Sequence, residues 1–331
     1  MKILVKAVFA AGLSLLAGTM RPASAEEAIT KVTVAYDGFT MASAPLQYTL
    51  AKGLFKKYGL DVDLVFIEGG SVLTQALVGG SVDIAQNGYT PSIAAAVAGA
   101  DIAIVGSIVN KLPFQLVVNN SIQNADQLRG KSIAVSKLGS STDTALKFAL
   151  NSLGLQPTDV NILQLGGEGT RAAAYESNQV QGLVSQYPRT QEIVEAGSKI
   201  LVDVTEIVKD YPNTAYVAQR TYLSEHPDTV KRFFMAMREG LHDFRANPQD
   251  ALAVTASFLK LEKGKSVEDA FRFYSEKVYP QDLRPSMPGI AAVLAELAKT
   301  MPDAALVKPE SIIDTTTLDA LDREGFFKAQ D

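Results

Sequence analysis

Glycine, serine, threonine and asparagine are concentrated at six points where a predicted strand gives way to a predicted helix. These segments read DGFTMASAP (37–45), EGGS (68–71), NGYTP (87–91), SKLGSST (136–142), GGEGT (166–170) and SQYP (185–188). Glycine lets the backbone approach a ligand closely. Hydroxyls and amide N–H groups at a helix start bind an anion without a positively charged side chain. The pattern therefore predicts a small-molecule binding site built from strand ends.

Within these segments, Ser140, Ser141 and Thr142 are the clearest candidates for ligand contact, and Gly167 is another. The alternative for the three hydroxyl residues is that they only cap their own helix.

Four aromatic residues are further candidates. Tyr89 and Tyr187 follow strands, where a tyrosine either covers a ligand and hydrogen-bonds it or packs at the surface of its lobe. For Phe39 and Phe114 the alternative is core packing.

Some charged candidates favour an anionic ligand and others count against it. Lys111, Arg171 and Arg189 could supply positive charge, and Arg171 stands in the first turn of a predicted helix, which is unfavourable for a cation unless an anion lies there. Asp37 and Glu68 follow strands as well, and they count against an anionic ligand if they face the site.

Catalytic motifs are missing from the sequence. It contains no cysteine, no G-x-S-x-G segment and no P-loop, and the two histidines, His226 and His242, match no metal spacing. We therefore expect a binding protein and not an enzyme, with no cofactor and no metal.

Strand-like and helix-like segments alternate along the chain, which predicts an α/β fold with mostly parallel sheets flanked by helices. Residues 69–91 and 166–188 repeat one order: a glycine pair, a short helix, an apolar strand, and a Tyr-x-Pro or Tyr-Pro turn. We interpret the repeat as two lobes built on one plan, here called the first and second lobe. The predicted first lobe comprises residues 26–110 and 213–331, with helices at the C-terminal end, and the second comprises 111–212.

The first 25 residues are typical of a secretory signal peptide. Lys2 and Lys6 precede an apolar run that ends in Ala23-Ser24-Ala25, which predicts cleavage after Ala25 and a periplasmic protein. The formal net charge of −5 becomes −8 once the three positive charges of this segment are removed. Such a charge argues against a nucleic-acid partner.

Long stretches of the sequence resemble the nitrate/sulfonate/taurine-type substrate-binding proteins of ABC importers. The stretches are AKGLFKKYGLDV, the run from ALVGGSVDIA onward, ADQLRGKSIAV followed by LGSSTD, and YPNTAYVAQRTYLSEHPDTVKRFFMAM. The resemblance implies the two-lobed type II periplasmic-binding-protein fold, with the ligand between the lobes. It also implies an inner-membrane ABC permease as partner, and we expect a monomer. The ligand contacts that it implies are Phe39, Thr40, Met41, Gly70, Ser71, Asn87, Tyr89, Ser140, Ser141, Thr142, Tyr187 and Pro188.

The expected ligand is a small anionic organic solute, a sulfonate or a carboxylate, with or without an aromatic ring. The alternatives are a neutral pyrimidine or thiamine precursor as ligand, and a role in presenting the ligand to a membrane receptor instead of a permease.

Overall fold

The computed structural model describes residues 29–327, so the predicted signal peptide and its cleavage site lie outside the described residues. Ten strands are found within these residues: β1 (Thr30–Tyr36), β2 (Leu60–Phe66), β3 (Ile84–Gly88), β4 (Ile102–Val109), β5 (Gln115–Val118), β6 (Ser132–Val135), β7 (Asn161–Gln164), β8 (Gly182–Ser185), β9 (Lys199–Asp203) and β10 (Thr214–Gln219). The α-helices in the described residues are α1 (Ala44–Ala51), α2 (Leu54–Lys57), α3 (Gly70–Val78), α4 (Tyr89–Val97), α5 (Ser141–Ser152), α6 (Glu168–Glu176), α7 (Arg189–Glu195), α8 (Val204–Ile207), α9 (Arg220–Glu225), α10 (Pro227–Ala246), α11 (Pro248–Leu259), α12 (Lys265–Lys277), α13 (Met287–Leu297) and α14 (Thr316–Arg323).

The strands form two sheets with one topology. The first sheet has the order β2-β1-β3-β10-β4, and the second has β7-β6-β8-β5-β9. In each sheet the fourth strand in spatial order, β10 or β5, is antiparallel to both neighbours. The predicted two-lobed α/β fold is therefore confirmed, and β3 and β8, the strands of the two repeated stretches, occupy the same place in their sheets.

Each antiparallel strand follows a segment that crosses from one lobe to the other. The chain crosses between β4 and β5 and returns between β9 and β10, and the two crossings are tied where Asn213 N–H donates to the Val109 carbonyl at 2.9 Å. The exact lobe boundaries at residues 110 and 212 stay predictions.

One local prediction was wrong. Leu46, Leu50 and Leu54 share one helical face in the sequence, which predicts a single amphipathic helix over residues 45–59. The segment instead divides into α1 and α2 because Gly53 adopts a left-handed φ of +70°. The first crossing lies between β4 and β5, inside the stretch 107–118, and the last four residues of that stretch form β5. The four side chains of β5 are buried, and a strand so short shows no alternation in the sequence.

The C-terminal helices complete the first lobe. Helix α10 packs on α1 and α2, where Phe233 stacks on Phe55 with ring centroids 5.6 Å apart. The Tyr48 hydroxyl of α1 donates to Asp243 of α10 at 2.7 Å. Among residues 29–327 no helix is both long and apolar enough to cross a membrane.

Candidate ligand-binding site

A polar cavity of about 70 Å³ lies between the two lobes and is called the inner chamber. Its wall is formed by strand ends and helix starts of both lobes. The lining residues are Asp37, Gly38, Thr40, Gly69, Gly70, Phe114, Ser136, Ser140, Ser141, Thr142, Gly167, Glu168, Arg171, Gln186, Asn213 and Thr214.

A second cavity of about 380 Å³, the outer chamber, adjoins the first. The two chambers share Gly38, Thr40, Gly167, Glu168 and Gln186. The other residues of the outer chamber are Phe39, Phe66, Glu68, Gly169, Thr170, Tyr187, Pro188, Arg189, Leu259, Lys260 and Leu261. The shared walls make the two chambers one continuous cleft.

Three hydroxyl groups cluster where α5 begins. The Ser136, Ser140 and Thr142 oxygens lie 2.9 Å from one another in each pair. Ser140 is the N-cap of α5, with its hydroxyl accepting from Asp143 N–H at 3.4 Å. Ser140 therefore caps the helix and also lines the cavity, so the two roles weighed from the sequence are compatible.

Three helix N-termini meet at the inner chamber. Gly70 begins α3, Ser141 begins α5 and Glu168 begins α6, and all three residues line the cavity. The first N–H groups of a helix have no partner within that helix, and the helix dipole adds partial positive charge at this end. The chamber is therefore rich in hydrogen-bond donors.

The buried Arg171 is compensated from within its own lobe. Only 4% of its side chain is exposed, and its guanidinium pairs with the Glu168 carboxylate. It also donates to the carbonyls of Gly166 at 2.5 Å and Val184 at 3.2 Å. Glu168 accepts a further hydrogen bond from Ser185 at 2.5 Å. Arg171 thus contributes less positive charge to the chamber than its type suggests.

Besides Glu168, which pairs with Arg171, two carboxylates line the cleft, one in each chamber. Asp37 lines the inner chamber, and burial raises its pKa to about 6, although hydrogen bonds from backbone amides of Asp37 and Gly88 act in the opposite direction. Glu68 lines the outer chamber and accepts a hydrogen bond from Gly167 N–H of the other lobe. A ligand anion therefore has to be placed away from Glu68.

Comparison with known proteins assigns the family. The family described as NMT1/THI5-like matches residues 40–251. The chain belongs to the NMT1/THI5-like family. A Brucella abortus protein named only as a binding protein is 30% identical over 66% of this chain and 68% of its own length. The taurine-binding periplasmic protein of Escherichia coli is 28% identical over 72% of this chain and 74% of its own length.

The fold is shared with solved structures as well. The alkanesulfonate-binding protein of Xanthomonas axonopodis pv. citri, solved with bound MOPS, superposes with a TM-score of 0.71 at 20% identity, over 85% of this chain and 96% of that one. These relatives are binding proteins, which agrees with the expectation that this NMT1/THI5-like chain is not an enzyme. Relatives with a named ligand include proteins named for binding taurine and aliphatic sulfonates.

Most residues predicted as ligand contacts in this NMT1/THI5-like chain line one of the two chambers. They are Phe39, Thr40, Gly70, Phe114, Ser140, Ser141, Thr142, Gly167, Arg171, Tyr187 and Pro188. Arg189 lines the outer chamber and is paired with Glu192 at 2.6 Å, whereas Lys111 lines neither chamber.

Four predicted contacts line neither chamber: Met41, Ser71, Asn87 and Tyr89. Met41 and Tyr89 are fully buried in the hydrophobic core. Asn87 is also buried, and its amide donates to the Gly70 carbonyl at 3.1 Å and to Thr74 at 2.7 Å. Asn87 thus supports the first turn of α3, which does line the chamber.

Sequence reasoning missed several lining residues. Ser136 and Gln186 stand in segments that were singled out, so their strand-end positions were a usable signal. Asn213 ends the second crossing between the lobes, and Thr214 begins β10. Leu259 ends α11, and Lys260 and Leu261 follow it, in a part of the chain where nothing in the local pattern indicates a site.

Proposed function

We propose that this protein captures a small organic anion, a sulfonate or a carboxylate, in the periplasm and delivers it to an ABC permease. The observation that carries the proposal is the meeting of three helix N-termini and a cluster of hydroxyls at one small chamber between the lobes. Such a chamber offers hydrogen-bond donors from several directions, which is what an oxoanion requires.

The Asp37 carboxyl is compatible with this ligand. With a pKa of about 6, a substantial share of Asp37 is protonated near pH 6, and a protonated carboxyl donates a hydrogen bond to an anion. An anion bound beside it disfavours ionisation and raises that pKa further. Binding is therefore expected to be accompanied by proton uptake.

Contacts across the cleft support capture by lobe closure. Glu68 accepts from Gly167 N–H, and the Tyr274 hydroxyl of α12 donates to Gln186 of the second lobe at 3.1 Å. The Ser141 hydroxyl lies so near Gly88 of the first lobe that a β-carbon at Gly88 would be 2.7 Å from it. A ligand that touches both lobes favours this closed arrangement over an open one.

The test is thermal unfolding of the mature chain with a ligand panel. The panel contains taurine, ethanesulfonate, benzenesulfonate, nitrate, acetate, benzoate and a neutral pyrimidine. A ligand at 100 times its dissociation constant stabilises the folded state by about 2.7 kcal/mol. For a protein of this size that raises the unfolding temperature by a few degrees. We expect a shift from sulfonates or carboxylates and none from the pyrimidine, and a shift from the pyrimidine alone would refute the anion proposal.

A further inference from the structure

The outer chamber differs from the inner one in size and in chemistry. It is about 380 Å³ against about 70 Å³, and its wall includes Phe39, Phe66, Tyr187 and two leucines instead of a hydroxyl cluster. An apolar protein cavity of about 150 Å³ holds a benzene molecule. The inner chamber therefore suits the oxoanion group alone, and the outer chamber has room for an aromatic ring attached to it.

Two phenyl rings form a fixed platform in the outer chamber. The centroids of Phe39 and Phe66 are 4.7 Å apart with an interplanar angle of 53°. The Phe39 ring also packs against Tyr36, with ring centroids 5.9 Å apart, and against Phe258, with centroids 5.2 Å apart. Phe66 remains 38% exposed at the end of β2, so its ring is accessible from the outer chamber. Rings held in this way keep their geometry for a further ring to pack against.

A lysine adds positive charge beside this platform. Lys260 is held in the left-handed region, with φ +57°, at the end of α11, and its Nζ lies 5.0 Å from the centroid of Phe39. Within residues 29–327 no ion pair is found for Lys260. The other charged groups of the chamber have partners: Arg189 pairs with Glu192, Glu168 with Arg171, and Glu68 with Gly167 N–H. Lys260 therefore offsets the negative charge of Glu68, so the outer chamber does not repel a ring whose oxoanion lies in the inner chamber.

We infer that the outer chamber is a binding subsite for an aromatic ring. The ligand class is an aromatic sulfonate or carboxylate, with its oxoanion in the inner chamber and its ring against Phe39 and Phe66. The inference rests on the proposed function, because the ring reaches the outer chamber only if the anion occupies the inner one.

Matched ligands test the inference by isothermal titration calorimetry. Benzenesulfonate is compared with ethanesulfonate, and benzoate with acetate, on the full mature chain. We expect the aromatic member of at least one pair to bind tenfold or more tightly than its aliphatic counterpart. The sulfonate and carboxylate pairs then distinguish which oxoanion the inner chamber prefers.

Variants assign the preference to the platform. Phe39→Leu combined with Phe66→Ala is expected to weaken binding of the aromatic ligand at least fivefold more than binding of the aliphatic one. Phe326→Leu, an aromatic residue outside both chambers, serves as the matched control and is expected to leave the preference unchanged.

The outcomes separate the two proposals. Binding of ethanesulfonate or acetate without an aromatic preference overturns the ring subsite and leaves the anion proposal standing. An aromatic preference that survives in the double variant also overturns the subsite. If none of the four anions binds, both proposals fail.

Discussion

Glu68 of the first lobe accepts a hydrogen bond from the backbone N–H of Gly167 in the second lobe, across the mouth of the cleft. Gly166 and Gly167 make room for this contact, since a β-carbon at either position would lie 2.5 or 2.9 Å from Glu68 Oε1. The carboxylate therefore sits at the N-terminus of α6, where a helix attracts negative charge. This hydrogen bond joins the two lobes directly.

Replacing Glu68 is expected to favour the open arrangement. Because Glu68 is exposed, the contact is worth little in energy, and Glu68→Ala should weaken ligand binding only about threefold. Small-angle X-ray scattering should show a larger radius of gyration for the ligand-free variant. Glu225→Ala, an exposed change outside the chambers, is the control, and equal scattering from all proteins would contradict a closing role for Glu68.

Removing the hydroxyls at the start of α5 is expected to impair anion binding. Ser141→Ala with Thr142→Ala should weaken binding of the tightest sulfonate or carboxylate at least tenfold, because charge-assisted hydrogen bonds contribute roughly 1.5–3 kcal/mol each. Calorimetric titration measures the change. Thr221→Ala with Ser224→Ala on α9 makes the same replacements away from the cleft and should not alter affinity.

The unfolding temperature of the double variant separates a loss of binding from a loss of folding. Thr142 accepts from Ser136 N–H at 2.9 Å, so its loss disturbs the neighbouring loop to some degree. If the double variant unfolds at the wild-type temperature and still binds normally, the hydroxyls do not hold the ligand.

The titration of Asp37 predicts how stability changes with pH. Its pKa is about 6 in the folded chain, against roughly 3.9 when unfolded. The folded state therefore binds more protons than the unfolded state between these values, so stability falls as the pH rises from about 4 through 6. Asp37→Asn removes this dependence.

Thermal unfolding of both proteins from pH 4.5 to 8 measures the effect. The variant should gain in stability relative to wild type as the pH rises, with the difference levelling off above about pH 7. Parallel curves for the two proteins would show that Asp37 is not perturbed.

Close packing of α1 against α10 predicts a strongly destabilising substitution. A β-carbon at Gly240 would overlap the Thr49 hydroxyl and lie 2.9 Å from its Cβ. Gly240→Ala is therefore expected to lower the free energy of unfolding by about 2 kcal/mol, as overpacked cores do. Gly264→Ala, which meets no atom within 4 Å, is the matched control in a urea titration. Equal stability of the two variants would contradict the packing argument.

Much of the candidate site could be anticipated because strand ends and helix starts have local signatures. The run from Ser136 to Thr142 predicts both a strand end and a helix cap. Parallel strands of one sheet bring such ends to the same edge. Asn87 and Tyr89 follow the same rule along the chain, yet neither lines a chamber. The Asn87 side chain donates hydrogen bonds within its own lobe, and the Tyr89 side chain is buried in the core.

The sequence by itself determined the alternation of strands and helices, the two lobes of one plan and the family, because periodic apolar residues, glycines and caps act over a few residues. Only the tertiary structure decided that Glu168 compensates Arg171, that Glu68 reaches Gly167, and that Lys260 stands over Phe39. The last two pairs are separated by about a hundred residues or more, and their approach depends on how whole elements pack. The compensation of Arg171 is short in sequence, but its burial against Val184 and Gly166 is likewise a product of packing.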